Sequence, residues 1–174
     1  TLSNQVIENV LHANLSAAPL PEYTEDEIVY AKQLRATYDT SLLPGTRTYE
    51  DFKVKKFVLE QTVNGTLPMN NFVFPHTPCN PFSPGSTDVG DVSWLTPTAQ
   101  FTTATWVSGS PGHSWQNVAT GRSSIAHKGL LLAAKVLAAT TADLMEQPEL
   151  LAKAREEFLE TTVALMEKHP DCSL

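Results

Sequence analysis

The sequence predicts an α/β or α+β domain, with helices packed on a small sheet. Apolar residues recur at helical spacing near both ends of the chain, in Val6, Ile7, Val10, Leu11 and Leu15 and again in Leu151, Ala154, Phe158, Thr162, Leu165 and Met166. Between them, Gln100–Val107 is rich in β-branched and aromatic residues, the composition of a strand. Phe52–Leu59 alternates and is followed by Asn64-Gly65, a hairpin-type turn signal, and Phe72–Phe74 adds a short strand that ends at Pro75.

Taken in order, a helix is expected over Ser3–Leu15, stopping at Pro19-Leu20-Pro21. Thr24-Glu25-Asp26-Glu27 is a capping-box start. The threonine hydroxyl can accept from the backbone of Glu27, and the acids complement the positive end of the helix dipole. The helix that follows runs to about Tyr38, with Ile28, Ala31, Leu34 and Tyr38 inward. Pro44-Gly45 is a turn, and Pro75–Pro84 carries four prolines and so cannot be regular structure. Ser86 or Thr87 can cap a short helix reaching Leu95, ended by Pro97. After the Gln100–Val107 strand, Gly109–Gly112 releases a loop bearing His113. A long helix is expected from Ser124 to Glu146. Its Ile125, Leu130, Leu131, Ala134, Val136, Leu137 and Ala138 spread so widely that burial on most sides is expected. Pro148 suits the first position of a last helix ending near Lys168.

The 174 residues are enough for one sizeable core, burying about two-thirds of the unfolded surface. A net charge of -7 argues against a nucleic-acid partner, which needs a basic face. The longest apolar run, Gly129–Ala139, is broken by Lys135 and is shorter than the roughly 20 residues of a bilayer span, so no membrane partner is expected. Cys79 and Cys172 form no close-spaced motif; a disulfide between them is open but unsupported, and two unpaired thiols fit a reducing, cytoplasmic setting. Thr1 opens straight into a helical pattern, with no secretory segment and no initiator Met, which reads as part of a longer protein.

Chemistry-bearing residues gather in Gly85-Ser86-Thr87-Asp88-Val89-Gly90-Asp91-Val92-Ser93-Trp94 and in Gly109-Ser110-Pro111-Gly112-His113-Ser114-Trp115. His113 follows a proline-glycine turn at the end of the expected strand. A histidine held there reads either as ordinary surface or as a metal ligand. Asp88 and Asp91, three apart, share a helix face and read either as helix-terminus charges or as pocket acids. His76 and Cys79 have the spacing of half a zinc site but no second pair. His127 lies in the first turn of the long helix, open to a pocket or an interface role. His12 and His169 read as surface, and Glu156-Glu157 as an exposed helix face.

These stretches, with Thr96–Phe101, Pro111–Gln116 and Ile125–Leu144, resemble the C-terminal part of the metal-dependent amidohydrolase family of aminoacylases and related carboxypeptidases, within it the aminobenzoyl-glutamate hydrolase branch. The resemblance is strong over Pro84–Leu144 and weak over Thr1–Tyr38. It implies the C-terminal portion of a zinc-peptidase-like catalytic domain over residues 41–174, with residues 1–40 as a helical segment leading back from a lid domain. It implies cleavage of the amide bond of N-acyl amino acids by two divalent ions, zinc or manganese, with His113 as the last metal ligand. Asp88, Asp91, Gly112 and His127 are then candidate pocket residues. Where the family often has Ser-Glu-Asp-Phe, this chain has Ser86-Thr87-Asp88-Val89, which puts an acidic role there in doubt. The family's Cys-x-His, His-x-Asp and Glu-Glu ligand motifs are missing, so the segment is expected to carry no catalytic residue and hold no metal tightly. It is expected to need the rest of the protein and to form homo- or hetero-oligomers. A non-catalytic interaction or ligand-binding domain is the alternative.

Overall fold

A computed structural model describes residues 1–39, 56–62, 66–76 and 87–168, and within these the regular structure is entirely helical. The helices are α1 (Gln5–Ala17), α2 (Glu25–Arg35), α3 (residues 56–61), α4 (Val89–Leu95), α5 (Trp115–Gly121), α6 (Ser124–Glu146) and α7 (Pro148–Lys168). The expected α/β or α+β architecture is thereby corrected. Gln100–Val107 contains no strand, and neither does Phe72–Phe74. Residues 56–59 of the expected Phe52–Leu59 strand are helical, and residues 52–55 lie outside the described residues. Composition made Gln100–Val107 competent for a strand, but a ladder needs a second segment alongside to exchange backbone hydrogen bonds. The described residues supply none.

The chain divides into two compact units. The first comprises Thr1–Ala18, Phe74–Phe101 and Lys135–Leu174, and the second Pro19–Val73 and Thr102–Ala134. Helix α6 thus gives its first half to the second unit and its second half to the first.

In the first unit α1 packs on α7, and the amino end of α1 explains how. A helix leaves its first N–H groups without intrahelical partners. Here the Asn4 N–H donates to the Thr98 carbonyl at 2.9 Å, those of Gln5 and Val6 donate to the Glu157 carboxylate at 2.7 and 3.0 Å, and that of Ile7 donates to Asn4 Oδ1 at 3.1 Å. Glu157, expected on an exposed face, is half-buried because it caps α1. Asn4 is only 3% exposed, and its Nδ2 also donates to the Ala154 carbonyl at 2.9 Å. Further along, Asn14 Nδ2 donates to Asp143 on α6 at 2.7 Å. Leu11, Val136, Ala154 and Phe158 are buried apolar residues of this unit. Asn4→Ala removes the side-chain acceptor of the Ile7 N–H and the buried bond from Nδ2 to the Ala154 carbonyl, so a loss of about 2 kcal/mol is expected. Urea unfolding monitored by circular dichroism checks it, and an unchanged midpoint would show that the cap carries no weight.

In the second unit the capping box forms as expected. Glu27 N–H donates to Thr24 Oγ1, and Thr24 N–H donates to the Glu27 carboxylate at 2.7 Å. The carboxylate is buried and also takes Lys128 Nζ at 2.6 Å and the Ser124 hydroxyl, both from α6. Burial alone would raise the pKa of Glu27. Hydrogen bonds from Lys128, Ser124 and Thr24, with the Lys128 charge, outweigh that and hold it at about 2. Ala31, Leu34, Met69, Val107 and Ile125 form the core of this unit, flanked by Tyr23, Tyr30, Tyr38 and Ala119.

The extended segment entering Val107 lies against α6. Thr103 Oγ1 donates to the Gly129 carbonyl at 3.0 Å, and a Cβ added to Gly129 would stand 2.3 Å from the Ala104 carbonyl oxygen. Glycine is required there by close approach. The burial of α6 is narrower than expected. Ile125, Ala126, Leu132 and Val136 are buried, whereas Leu130, Leu131 and Leu137 are 61%, 57% and 52% exposed. By length and composition α6 is also long and apolar enough to cross a membrane, with a third of its most apolar window buried within the chain.

Candidate functional site

The second unit carries a surface depression of about 610 Å³ lined by Trp106, Gly112, His113, Ser114, Trp115, Asn117 and Val118. The backbone turn that builds it begins at Val107, which is 1% exposed. Ser108 N–H donates to the Pro68 carbonyl at 2.8 Å, and Ser110 N–H donates back to Val107 O at 3.0 Å across Gly109, whose φ is 75°. The positive φ is the conformation glycine adopts at no steric cost. Anchored this way, Trp106 on one side of the buried Val107 remains 48% exposed.

His113 has φ 53°, in the left-handed region, and is exposed. Ser114 closes the turn around it. Its hydroxyl donates to Pro111 O at 2.8 Å and accepts from Asn117 N–H at 3.4 Å, capping α5. Gly112 has open space where a Cβ would go and no positive φ, so neither crowding nor backbone geometry demands glycine there.

Helix α5 departs from sequence expectation. The usual sign of a helix is an apolar stripe facing inward, and α5 reverses it. Gln116, Asn117 and Thr120 are buried, while Trp115 and Val118 are 59% and 75% exposed. Gln116 Nε2 donates to Thr37 Oγ1 at 3.1 Å, and the Thr120 hydroxyl donates to Gln116 O at 2.9 Å. Asn117, by contrast, has neither side-chain atom hydrogen-bonded. The signal available in the sequence is Ser114, a capping residue preceding Trp115.

The other expected site residues are placed differently. His127 belongs to the second unit, exposed in the first turn of α6, and does not line the depression. Asp88 and Asp91 lie in the first unit, at and just after the start of α4, and neither lines the depression. Asp88 makes no side-chain cap bond; Thr87 Oγ1 accepts from the Val89 N–H instead. His76 stacks on His12 with ring centroids 5.2 Å apart, so His12 is not a free surface residue. Ser86, Cys79 and His169 lie outside the described residues. Among the described residues no three of His, Cys, Asp and Glu gather closely enough to hold a metal ion. A binuclear centre does not fit these donors, since a single catalytic zinc ordinarily takes three protein ligands and His113 is the only such donor among the described residues lining the depression.

Trp106, Trp115 and the exposed His113 border this depression, and comparison with known proteins sets the chain beside part of a hydrolase. The relative is a p-aminobenzoyl-glutamate hydrolase subunit from Escherichia coli (strain K12), to which the chain is 37% identical over 167 residues, covering 92% of the chain. The resemblance to the aminobenzoyl-glutamate hydrolase branch is therefore shown. The chain spans about a third of that protein, 34% of its length. No family model matches the chain, and no solved structure gives a significant match.

Proposed function

We propose that this chain is part of a hydrolase subunit that cleaves the amide bond of N-acyl amino acids such as p-aminobenzoyl-glutamate. The observation that supports this reading is the 37% identity to the p-aminobenzoyl-glutamate hydrolase subunit across nearly all of the chain. The chain spans a third of that relative, and the donors among its described residues do not gather into a metal site, so we assign the chemistry to a longer protein that contains it. Within that protein His113 is the residue of this segment that contributes a metal ligand. A divalent pair, zinc or manganese, takes its remaining ligands from beyond the described residues. That the relative is named as a subunit further supports assembly with a partner. Exposed apolar side chains on α6, among them Leu130 and Leu131, are surface of the kind that other protein covers.

The alternative, a non-catalytic binding domain, is favoured by the lack of a metal cluster among the described residues, and one experiment separates the two. The 174-residue chain and the longer protein are each supplied with manganese or zinc and assayed for glutamate release from p-aminobenzoyl-glutamate. Release is expected from the longer protein alone, and His113→Ala in that protein is expected to lower metal content and turnover together. Comparable release by the 174-residue chain would place the chemistry within it. No release by either would leave the binding-domain reading.

A further inference from the structure

We propose that Trp106 and Trp115 set the acyl specificity of the longer protein, the face they share with Val118 receiving the aromatic ring of an N-aroyl amino acid. The inference rests on the hydrolase reading and adds the residues that tell an aromatic acyl group from a saturated one.

Helix α5 turns its apolar residues outward. Trp115 and Val118, three apart and so on one face, are 59% and 75% exposed, while Gln116, Asn117 and Thr120 are buried behind them. Trp106, 48% exposed, borders the same depression. Large apolar side chains gathered on one concave surface are what a bound group covers.

Charge decides which group. Among the described residues the lining holds no lysine, arginine, aspartate or glutamate. p-Aminobenzoyl-glutamate has an uncharged aromatic end and an end with two carboxylates. Carboxylates are held by arginine, lysine or aimed N–H donors, and an apolar face without a cation would strip them of water and offer no partner. The aromatic end is the one this lining suits. Position points the same way. His113, which the hydrolase reading puts in the site, borders the depression, and in an N-aroyl amino acid the ring is bonded directly to the carbonyl carbon of the scissile amide. A ring whose carbonyl lies in the site therefore rests on the surface around it. Indoles favour a flat ring, offset-stacked or edge-on, over a saturated ring of equal size by roughly fivefold.

The test compares p-aminobenzoyl-glutamate with cyclohexanecarbonyl-glutamate, whose ring is saturated, in the longer protein and in its Trp106→Leu and Trp115→Leu variants. The unmodified protein is expected to favour the aromatic substrate by about fivefold or more in kcat/KM, each leucine variant to lose most of that preference, and Trp115→Phe to keep it. Binding of p-aminobenzamide and of cyclohexanecarboxamide, measured by equilibrium dialysis, is expected to show the same preference without turnover. Equal binding of the two amides by the unmodified protein would overturn the proposal whether or not any variant folds, and so would a preference kept in both leucine variants. A Val118→Cys thiol that resists maleimide in the ligand-free longer protein would also overturn it, because the rest of that polypeptide would then cover this face. If neither substrate is hydrolysed while p-aminobenzamide binds with the expected preference, the hydrolase reading falls and the aromatic seat stands. Hydrolysis of both substrates with no preference does the reverse.

Discussion

Gly129→Ala is expected to destabilise the chain by about 1–2 kcal/mol net, against the ordinary rule. Alanine in a helix interior is normally favoured over glycine by about 1 kcal/mol. At this position in α6 the new Cβ would meet the Ala104 carbonyl oxygen at 2.3 Å, the Ala104 carbonyl carbon at 3.0 Å and Thr105 Cγ2 at 3.0 Å. The nearest of these is backbone, held in place by the bond from Thr103 to Gly129 O and by the buried Val107 that follows. Relief therefore requires the extended segment to move off α6, and overpacking of this kind typically costs about 1–3 kcal/mol. Gly90→Ala in α4, where a Cβ meets nothing within 4 Å, is the control and should be neutral or stabilising. Urea midpoints of the two variants decide the matter; a rise for Gly129→Ala would mean that the approach is looser than the structure has it.

Glu27→Ala should cost about 3 kcal/mol or more. Removing one partner of a buried ion pair leaves the other uncompensated, at about 3–5 kcal/mol. Lys128 keeps a side-chain exposure of 31%, which places the expected loss at the lower end. The loss includes the Ser124 hydroxyl and the Thr24 N–H, both of which donate to this carboxylate. The pH dependence follows from the pKa, lowered from the ordinary 4.5 to about 2. A carboxyl more acidic in the folded chain than in the unfolded one stabilises the fold fully above the unfolded value. That contribution is lost as pH falls from about 4.5 towards 2. Stability curves for the unmodified chain and for Glu27→Gln should therefore converge across that window. A difference between them that persists at about pH 2 would remove Glu27 from the acid response.

The parts of the fold that were legible are those decided locally. Thr24 and Glu27 sit three apart and form their box wherever the helix goes, and α6 and α7 run over the residues their periodicity and Pro148 indicate. What failed was whatever depends on a distant segment. Gln100–Val107 has a strand's composition, but pairing is a property of two segments, and composition reports on one. Burial on α6 failed for a related reason. Leu130, Leu131 and Leu137 are as apolar as Ile125 and Val136, and only the packing decides which face the chain covers. At the site, His113 stands out through its turn, whereas the exposure of Trp115 is hidden because α5 turns its polar side inward.

The φ of 53° at His113 bears on how substitutions there would be sorted. A left-handed conformation costs an L-residue roughly 1–2 kcal/mol that glycine does not incur, and asparagine tolerates it well. In a library of variants ranked only by resistance to heat, glycine and asparagine would thus rise at position 113 and the imidazole would fall. Ranked by what the longer protein does, the order would invert if the ring is needed. Two rankings of one position, taken from the same library, would report separately on what the backbone prefers and on what the side chain is for.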